Sequence, residues 1–182
     1  MVSAREVTIR PAGPADAGEL ARLRHDFRIA IDPAIEDEGT FLRRCLPWME
    51  ERLAHPSTGW RAWVAESGAG AVAVVGGEAS TARLVGHVWV RRLDKIPNPV
   101  GEVEAHAYLT NMYVEPGLRG AGVGSRLLEA ALAWCREQRI GSVVLWPTER
   151  SRTLYGRAGF RDTGDVLELP LNPAHCGRVG VR

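Results

Sequence analysis

One run of residues constrains this chain more than any other: Met112-Tyr-Val-Glu-Pro-Gly-Leu-Arg119-Gly120-Ala-Gly122-Val-Gly124-Ser-Arg-Leu-Leu128. It joins a β-strand to a helix through an arginine and three closely spaced glycines. Glycines at such a turn adopt positive φ and let the backbone approach a ligand, while the free N–H groups at the start of the helix attract an anion. Arg119 can add a charge-assisted contact. The run therefore predicts a phosphate site, and its spacing excludes two common kinds. A dinucleotide fold needs G-x-G-x-x-G early in a βαβ unit, but Ser125 stands where the last glycine would be, and no G-K-[ST] follows for a nucleoside triphosphate.

A second run, Leu145-Trp-Pro-Thr148-Glu-Arg-Ser151-Arg-Thr-Leu-Tyr155-Gly-Arg-Ala-Gly159-Phe160, lies about one helix and one strand further on. With both runs in view, the chain resembles the GNAT superfamily of N-acetyltransferases. Arg119-x-x-Gly122-x-Gly124 is similar to that family's acetyl-CoA pyrophosphate loop, and the later run is similar to its second signature. The resemblance is sharp from about Ala107 to Phe160 and only topological before that.

The resemblance implies acetyl-CoA as cosubstrate, an amine acceptor and direct transfer in a ternary complex. The pyrophosphate would lie on Arg119, Gly120, Ala121, Gly122, Val123, Gly124 and Ser125. The pantetheine arm would run along Met112, Tyr113 and Val114, bonded by backbone groups of a strand that opens away from its neighbour, as an added strand would be. Tyr155 would lie beside the thioester sulfur. Thr148 and Ser151 stand where the family often has Asn and Ala, and Thr keeps a hydroxyl but loses the paired donor and acceptor of an amide. The implied fold is α/β (α+β): one domain over 1–182, with a mixed, mostly antiparallel sheet flanked by helices and an irregular tail over 170–182.

Composition agrees with a compact enzyme. The chain has 182 residues, 45% of them hydrophobic, enough for one core. A formal net charge of +1 gives no broad cationic face, so neither nucleic acid nor an anionic membrane surface is an expected partner. No N-terminal apolar leader and no membrane span are evident, which makes the cytoplasm the expected location. Cys45, Cys135 and Cys176 are scattered and form no metal-ligand spacing, so no metal is expected. Oligomeric state stays open, a homodimer included.

Along the chain, Val7–Arg10 reads as a strand ended by Pro11. A helix begins at Pro14, with Leu20, Leu23 and Phe27 at helical spacing. A second amphipathic helix is expected over 40–54, kinked or split at Pro47. Trp60–Ala65 and Arg83–Arg92 read as a strand pair separated by a Gly-rich end over 67–81. His87, in the second of these, reads as a satisfied, partly buried histidine. The next strand, 104–114, should place Glu104, His106, Tyr108, Thr110, Met112 and Val114 on one face. A helix over 124–138, a buried strand over 142–146 and a late strand over 165–169 follow.

The chemistry sets three needs. An aliphatic amine with a pKa near ~10.4 is neutral in only about one molecule in a few thousand at neutral pH, so its proton must be taken. Glu104 and His106, on one strand, are the candidate bases, with Tyr108 a further candidate lining the acceptor pocket. Each also reads as a plain polar group of the strand. Backbone N–H groups at the strand end could stabilise the oxyanion. Tyr155 is the candidate acid for the departing thiolate, with packing against the cofactor as its other reading.

The acidic run Asp32, Glu36, Asp37 and Glu38 either draws in a cationic acceptor or is simply solvated. Two other functions stay in view. A non-catalytic acyl-CoA-binding module would show no turnover with amines, and a dinucleotide-binding protein would respond to NAD and not to coenzyme A.

Overall fold

The computed structural model describes residues 7–31, 36–68, 83–97, 99, 101, 105–164, 166–169 and 171. Glu104, Asp32, Cys176, most of the Gly-rich stretch and nearly all of the C-terminal tail lie outside them. The chain divides into two compact units between Val144 and Leu145.

The first unit is built on a five-stranded sheet in sequence order: β1 (Val7–Pro11), β2 (Trp60–Ser67), β3 (Arg83–Asp94), β4 (Ala105–Val114) and β5 (Ser142–Val144). β1 to β4 pair antiparallel and β5 joins β4 in parallel, which is the mixed, mostly antiparallel sheet expected. α1 (Ala17–Ile29) and α2 (Glu38–Ala54) share one cluster with Ala62, Val64, Trp89 and Tyr113 of the sheet. α3 (Val123–Glu137) lies on the opposite face, where Trp134 meets Trp63 with ring centres 5.9 Å apart. Strand alternation explains the division, since Trp63 points away from its neighbours Ala62 and Val64.

Local chemistry fixes the helix starts. Pro14 opens a 3₁₀ turn over Pro14–Asp16 that leads into α1, and Asp16 accepts from the Gly13 N–H at 2.8 Å while pairing with Arg10. Glu19, in the first turn of α1, accepts the Leu84 N–H at 2.6 Å and so ties α1 to β3. Asp37 caps α2 by accepting the Thr40 N–H at 3.0 Å. α2 is a single helix with Pro47 inside it, not the two shorter helices that proline allowed.

Three expectations need correcting. β5 ends at Val144 instead of Trp146 and is not buried: Ser142 is exposed and Val143 and Val144 are half-buried. No strand forms over 166–169, where Val166, Leu167 and Leu169 are 64%, 95% and 79% exposed; their apolar pattern suits a strand, but a strand also needs a partner ladder. The third correction concerns β4. His87 of β3 pairs with Tyr113, while Trp89 pairs with Thr110, so β4 carries one residue more than β3 at this point. Asn111 takes up the excess with φ of 51°, a conformation Asn tolerates better than most residues. The resulting β-bulge reverses the alternation. Thr110 and Tyr113 share the α1/α2 face, and Val114 moves to the α3 face, beside the position where a side chain on Gly86 would also meet Leu127.

The second unit contains a 3₁₀ turn over Glu149–Ser151 and α4 (Arg152–Arg157). Within it the Trp146 indole N–H donates to Glu168 at 3.0 Å.

Candidate active site

The glycine turn has the backbone its sequence required. Gly120 and Gly122 have φ of 79° and 83°, and Gly122 is the residue before α3, which has no side-chain cap. The first bond of the helix runs from the Arg126 N–H to the Gly122 carbonyl at 3.1 Å. The amides of Val123, Gly124 and Ser125 precede it and have no acceptor within the helix, and the positive end of the helix dipole lies among them. A Cβ added at Gly120 or Gly122 would meet no protein atom within 4 Å. Backbone conformation, not packing, therefore requires glycine there, and the space beside it is open to a ligand.

Side chains around this turn are less available than its backbone. Val123 is 1% exposed and Tyr113 is 6% exposed, its ring 5.7 Å from that of Phe27. Both side chains belong to the core, so only their backbone groups can serve a ligand. Arg119 donates through Nε to the Val114 carbonyl at 2.9 Å, and its guanidinium stacks over Tyr113 at 5.5 Å. It thus fastens the loop to the end of β4 and sets the guanidinium at the mouth of the turn.

β4 meets β5 only from His106↔Ser142 to Tyr108↔Val144. From Leu109 onward its ladder with β5 has ended, and this is the stretch that contains the bulge, Met112 and Val114. His106 sits at the other end of the strand. Its Nδ1 is hydrogen-bonded to the Ser142 hydroxyl, a partner the sequence did not single out although both residues flank elements that were expected. Six residues of extended chain, roughly 20 Å, separate His106 from Met112.

Within the second unit, Tyr155 is 8% exposed and packs edge-on against Phe160 at 5.6 Å. Burial pushes its phenol up to about 12, because the charged phenolate is disfavoured away from water. The hydroxyl is therefore fully protonated near neutrality. Thr148 and Ser151 come together: the Thr148 hydroxyl donates to Ser151 Oγ at 3.0 Å, and that hydroxyl donates to the Thr148 carbonyl at 2.8 Å. They brace the turn that leads into α4.

Other candidates fall in different places. Glu36 pairs with Arg44, Asp37 caps α2, and Glu38 is exposed in its first turn. Cys135 is 3% exposed and burial pushes its thiol up to about 11, so it remains a packed thiol near neutral pH. Among the described residues no three His, Cys, Asp or Glu side chains are grouped as metal ligands. His87 differs from expectation: it is fully buried, and neither ring nitrogen has a hydrogen-bond partner among the described residues. Burial and the nearby Arg24 lower its pKa to about 3.

The family model of GNAT acetyltransferases matches residues 35–160, which include both signature runs. The chain belongs to the GNAT acetyltransferase family. This acetyltransferase uses acetyl-CoA as its cosubstrate and an amine as acceptor. It is 27% identical over 173 residues to a phosphinothricin N-acetyltransferase of Streptomyces coelicolor, covering 93% of this chain and 90% of that one. It is 36% identical over 101 residues to a mycothiol acetyltransferase of Propionibacterium freudenreichii. That alignment covers 53% of this chain but only 30% of the longer relative. Its fold matches the crystal structure of a predicted acetyltransferase with acetyl-CoA from Clostridium acetobutylicum, with a TM-score of 0.68 at 23% identity, over 91% of this chain and 96% of that one. No helix among the described residues is long and apolar enough to cross a membrane.

Proposed function

We propose that this chain transfers the acetyl group of acetyl-CoA to the amine of a small molecule, by direct attack in a ternary complex. The observation that carries the reading is the positive-φ turn at Gly120 and Gly122 leading into the uncapped start of α3, next to the stretch of β4 whose ladder with β5 has ended. A pyrophosphate bound by the amides of 123–125 would set the pantetheine arm along β4 from Val114 toward the bulge at Asn111. The N-acetyltransferase relative that aligns over nearly its whole length supports a small-molecule acceptor. Both units would act as one domain over 1–182, and we assign the reaction to the cytoplasm, where acetyl-CoA is supplied.

The steps follow from acidities. The acceptor ammonium gives up its proton, and His106 accepts it through a chain of waters, since its separation from the bulge is too large for direct contact or for a single bridging water. Glu104 is the alternative acceptor on the same strand. The neutral amine attacks the thioester carbonyl, and the backbone amides around the bulge stabilise the oxyanion. The attacking nitrogen gives its second proton to water, the intermediate collapses with cleavage of the C–S bond, and the neutral phenol of Tyr155 donates a hydrogen bond to the departing thiolate. Thr148 and Ser151 hold the turn that carries α4. A screen of amines for free thiol release from acetyl-CoA tests the reading. Release that depends on both an amine and intact Gly122 is expected, and no release with any amine would refute it.

A further inference from the structure

α1 carries three arginines, Arg22, Arg24 and Arg28, to which the reaction assigns no role. Arg24 is half-buried, its guanidinium 5.5 Å from the centre of the Phe27 ring. Among the described residues, Arg28 one turn along α1, Cys45 of α2, Tyr108 of β4 and His87 of β3 are the groups in electrostatic contact with it, and none of these is a carboxylate. Two other arginines of the same unit are treated differently: Arg10 is held by Asp16 and Glu66, and Arg22 by Asp26 and Glu115. Burial, and after it the like charge of Arg28, bring the Arg24 guanidinium down to about 10, still charged near neutral pH.

A cation withdrawn from water beside another cation is unfavourable unless an anion meets it. A second observation lies on the same face of the sheet. His87, fully buried, leaves both ring nitrogens without a partner among the described residues, and buried polar groups in that condition are rare enough to need a cause. Tyr108 pairs with Arg91, and Arg91 stacks on Trp60 of the α1/α2 cluster. This places His87 and Tyr108 on the face of the sheet that α1 and α2 cover, the face on which Arg24 of α1 is in electrostatic contact with both. The carboxylates expected to draw in a cation are in part engaged elsewhere, Glu36 by Arg44 and Asp37 by the start of α2.

We propose that the amine acceptor itself carries a carboxylate, as an amino acid does, and that Arg24, reinforced by Arg28, binds it. The proposal rests on the N-acetyltransferase reading and narrows its substrate class. The planar guanidinium takes a carboxylate through two parallel hydrogen bonds, which fixes the orientation of a small molecule as well as its affinity. Amine and anion then sit on one short skeleton, one end held at α1 and the other free to face β4.

The test compares thiol release from acetyl-CoA with a set of amino acids and with their carboxamides, which keep the amine and remove the negative charge. The carboxamide amine is the less basic of each pair, so intrinsic reactivity near neutral pH favours it. At least one acid is expected to exceed its carboxamide in kcat/KM, and Arg24→Gln should bring that ratio down by about 10- to 150-fold, the range for losing a hydrogen bond to a charged group. Arg24→Met, which removes a half-buried charge that meets no carboxylate among the described residues, should unfold at a higher temperature than wild type. Carboxamides and simple alkylamines turned over better than every acid would overturn the proposal and leave the N-acetyltransferase reading standing. A lower melting temperature for Arg24→Met would make Arg24 a structural residue and also overturn it. No thiol release with any amine would remove both.

Discussion

Tyr155→Phe removes one oxygen from a side chain that is 8% exposed and leaves its ring against Phe160, so the variant should fold. The size of its effect follows from the acidity of the phenol. A thiol of cysteine type has a pKa near ~8.5, whereas the Tyr155 phenol stands at about 12. Complete proton transfer from Tyr155 to a coenzyme A thiolate would then be uphill by roughly 5 kcal/mol, at about 1.4 kcal/mol for each unit. A hydrogen bond to the developing thiolate needs no such transfer and contributes about 1.5–3 kcal/mol, which is roughly 10- to 150-fold in rate. Steady-state thiol release should therefore show kcat lowered by that factor in Tyr155→Phe, with acetyl-CoA affinity nearly unchanged by calorimetry. A wild-type kcat would leave Tyr155 as a packing residue. A descending limb in the wild-type kcat profile that begins below pH 10 and disappears in the variant would contradict the raised pKa of the Tyr155 phenol.

The other site residues have separate signatures. Gly122→Val places a branched residue at φ of 83° at a cost of about 1–3 kcal/mol, small enough for a folded protein by circular dichroism, yet coenzyme A binding by calorimetry should be lost; unchanged affinity would remove the phosphate role of the turn. His106→Gln should depress kcat/KM near neutral pH and recover much of it at high pH, where the amine is already neutral, and an unaltered pH profile would end the case for His106 as base. His87 titrates near ~6.5 unfolded and at about 3 folded, so between these values the unfolded chain binds more protons and stability falls with falling pH, by up to about 1.4 kcal/mol per unit. Urea unfolding between pH 6.5 and 4.5 should show that slope in wild type and a flatter one in His87→Phe; equal slopes would show that another group is responsible.

The pattern of what could be foreseen has a physical basis. The turn at 119–124 was legible because positive φ and free helix amides are local properties of glycine and of a helix start. α1, α2, α3 and the existence of β1 to β4 followed from periodicities that survive packing. The bulge at Asn111 was not legible, since it exists only in the register between β4 and β3, and a tolerant residue marks where it can form, not that it does. β5 stopped at Val144 and no strand formed over 166–169 for a related reason: strand ends are set by neighbours distant in sequence. Arg24 was overlooked because α1 was read from the apolar spacing of Leu20, Leu23 and Phe27, which says nothing of the arginines between them. Arg22 is met by Asp26 and Glu115, and sequence gives no sign that Arg24 meets no carboxylate among the described residues. His87 was expected to be satisfied because buried histidines usually are.

The most direct measurement is the stoichiometry of one reaction, with free coenzyme A and N-acetylated acceptor quantified together over time. The account predicts that both rise in parallel, one for one, only when acetyl-CoA and an amine are both present. Thiol release without N-acetylated product, or acetyl groups accumulating on the protein ahead of the acceptor, would contradict direct transfer to an amine.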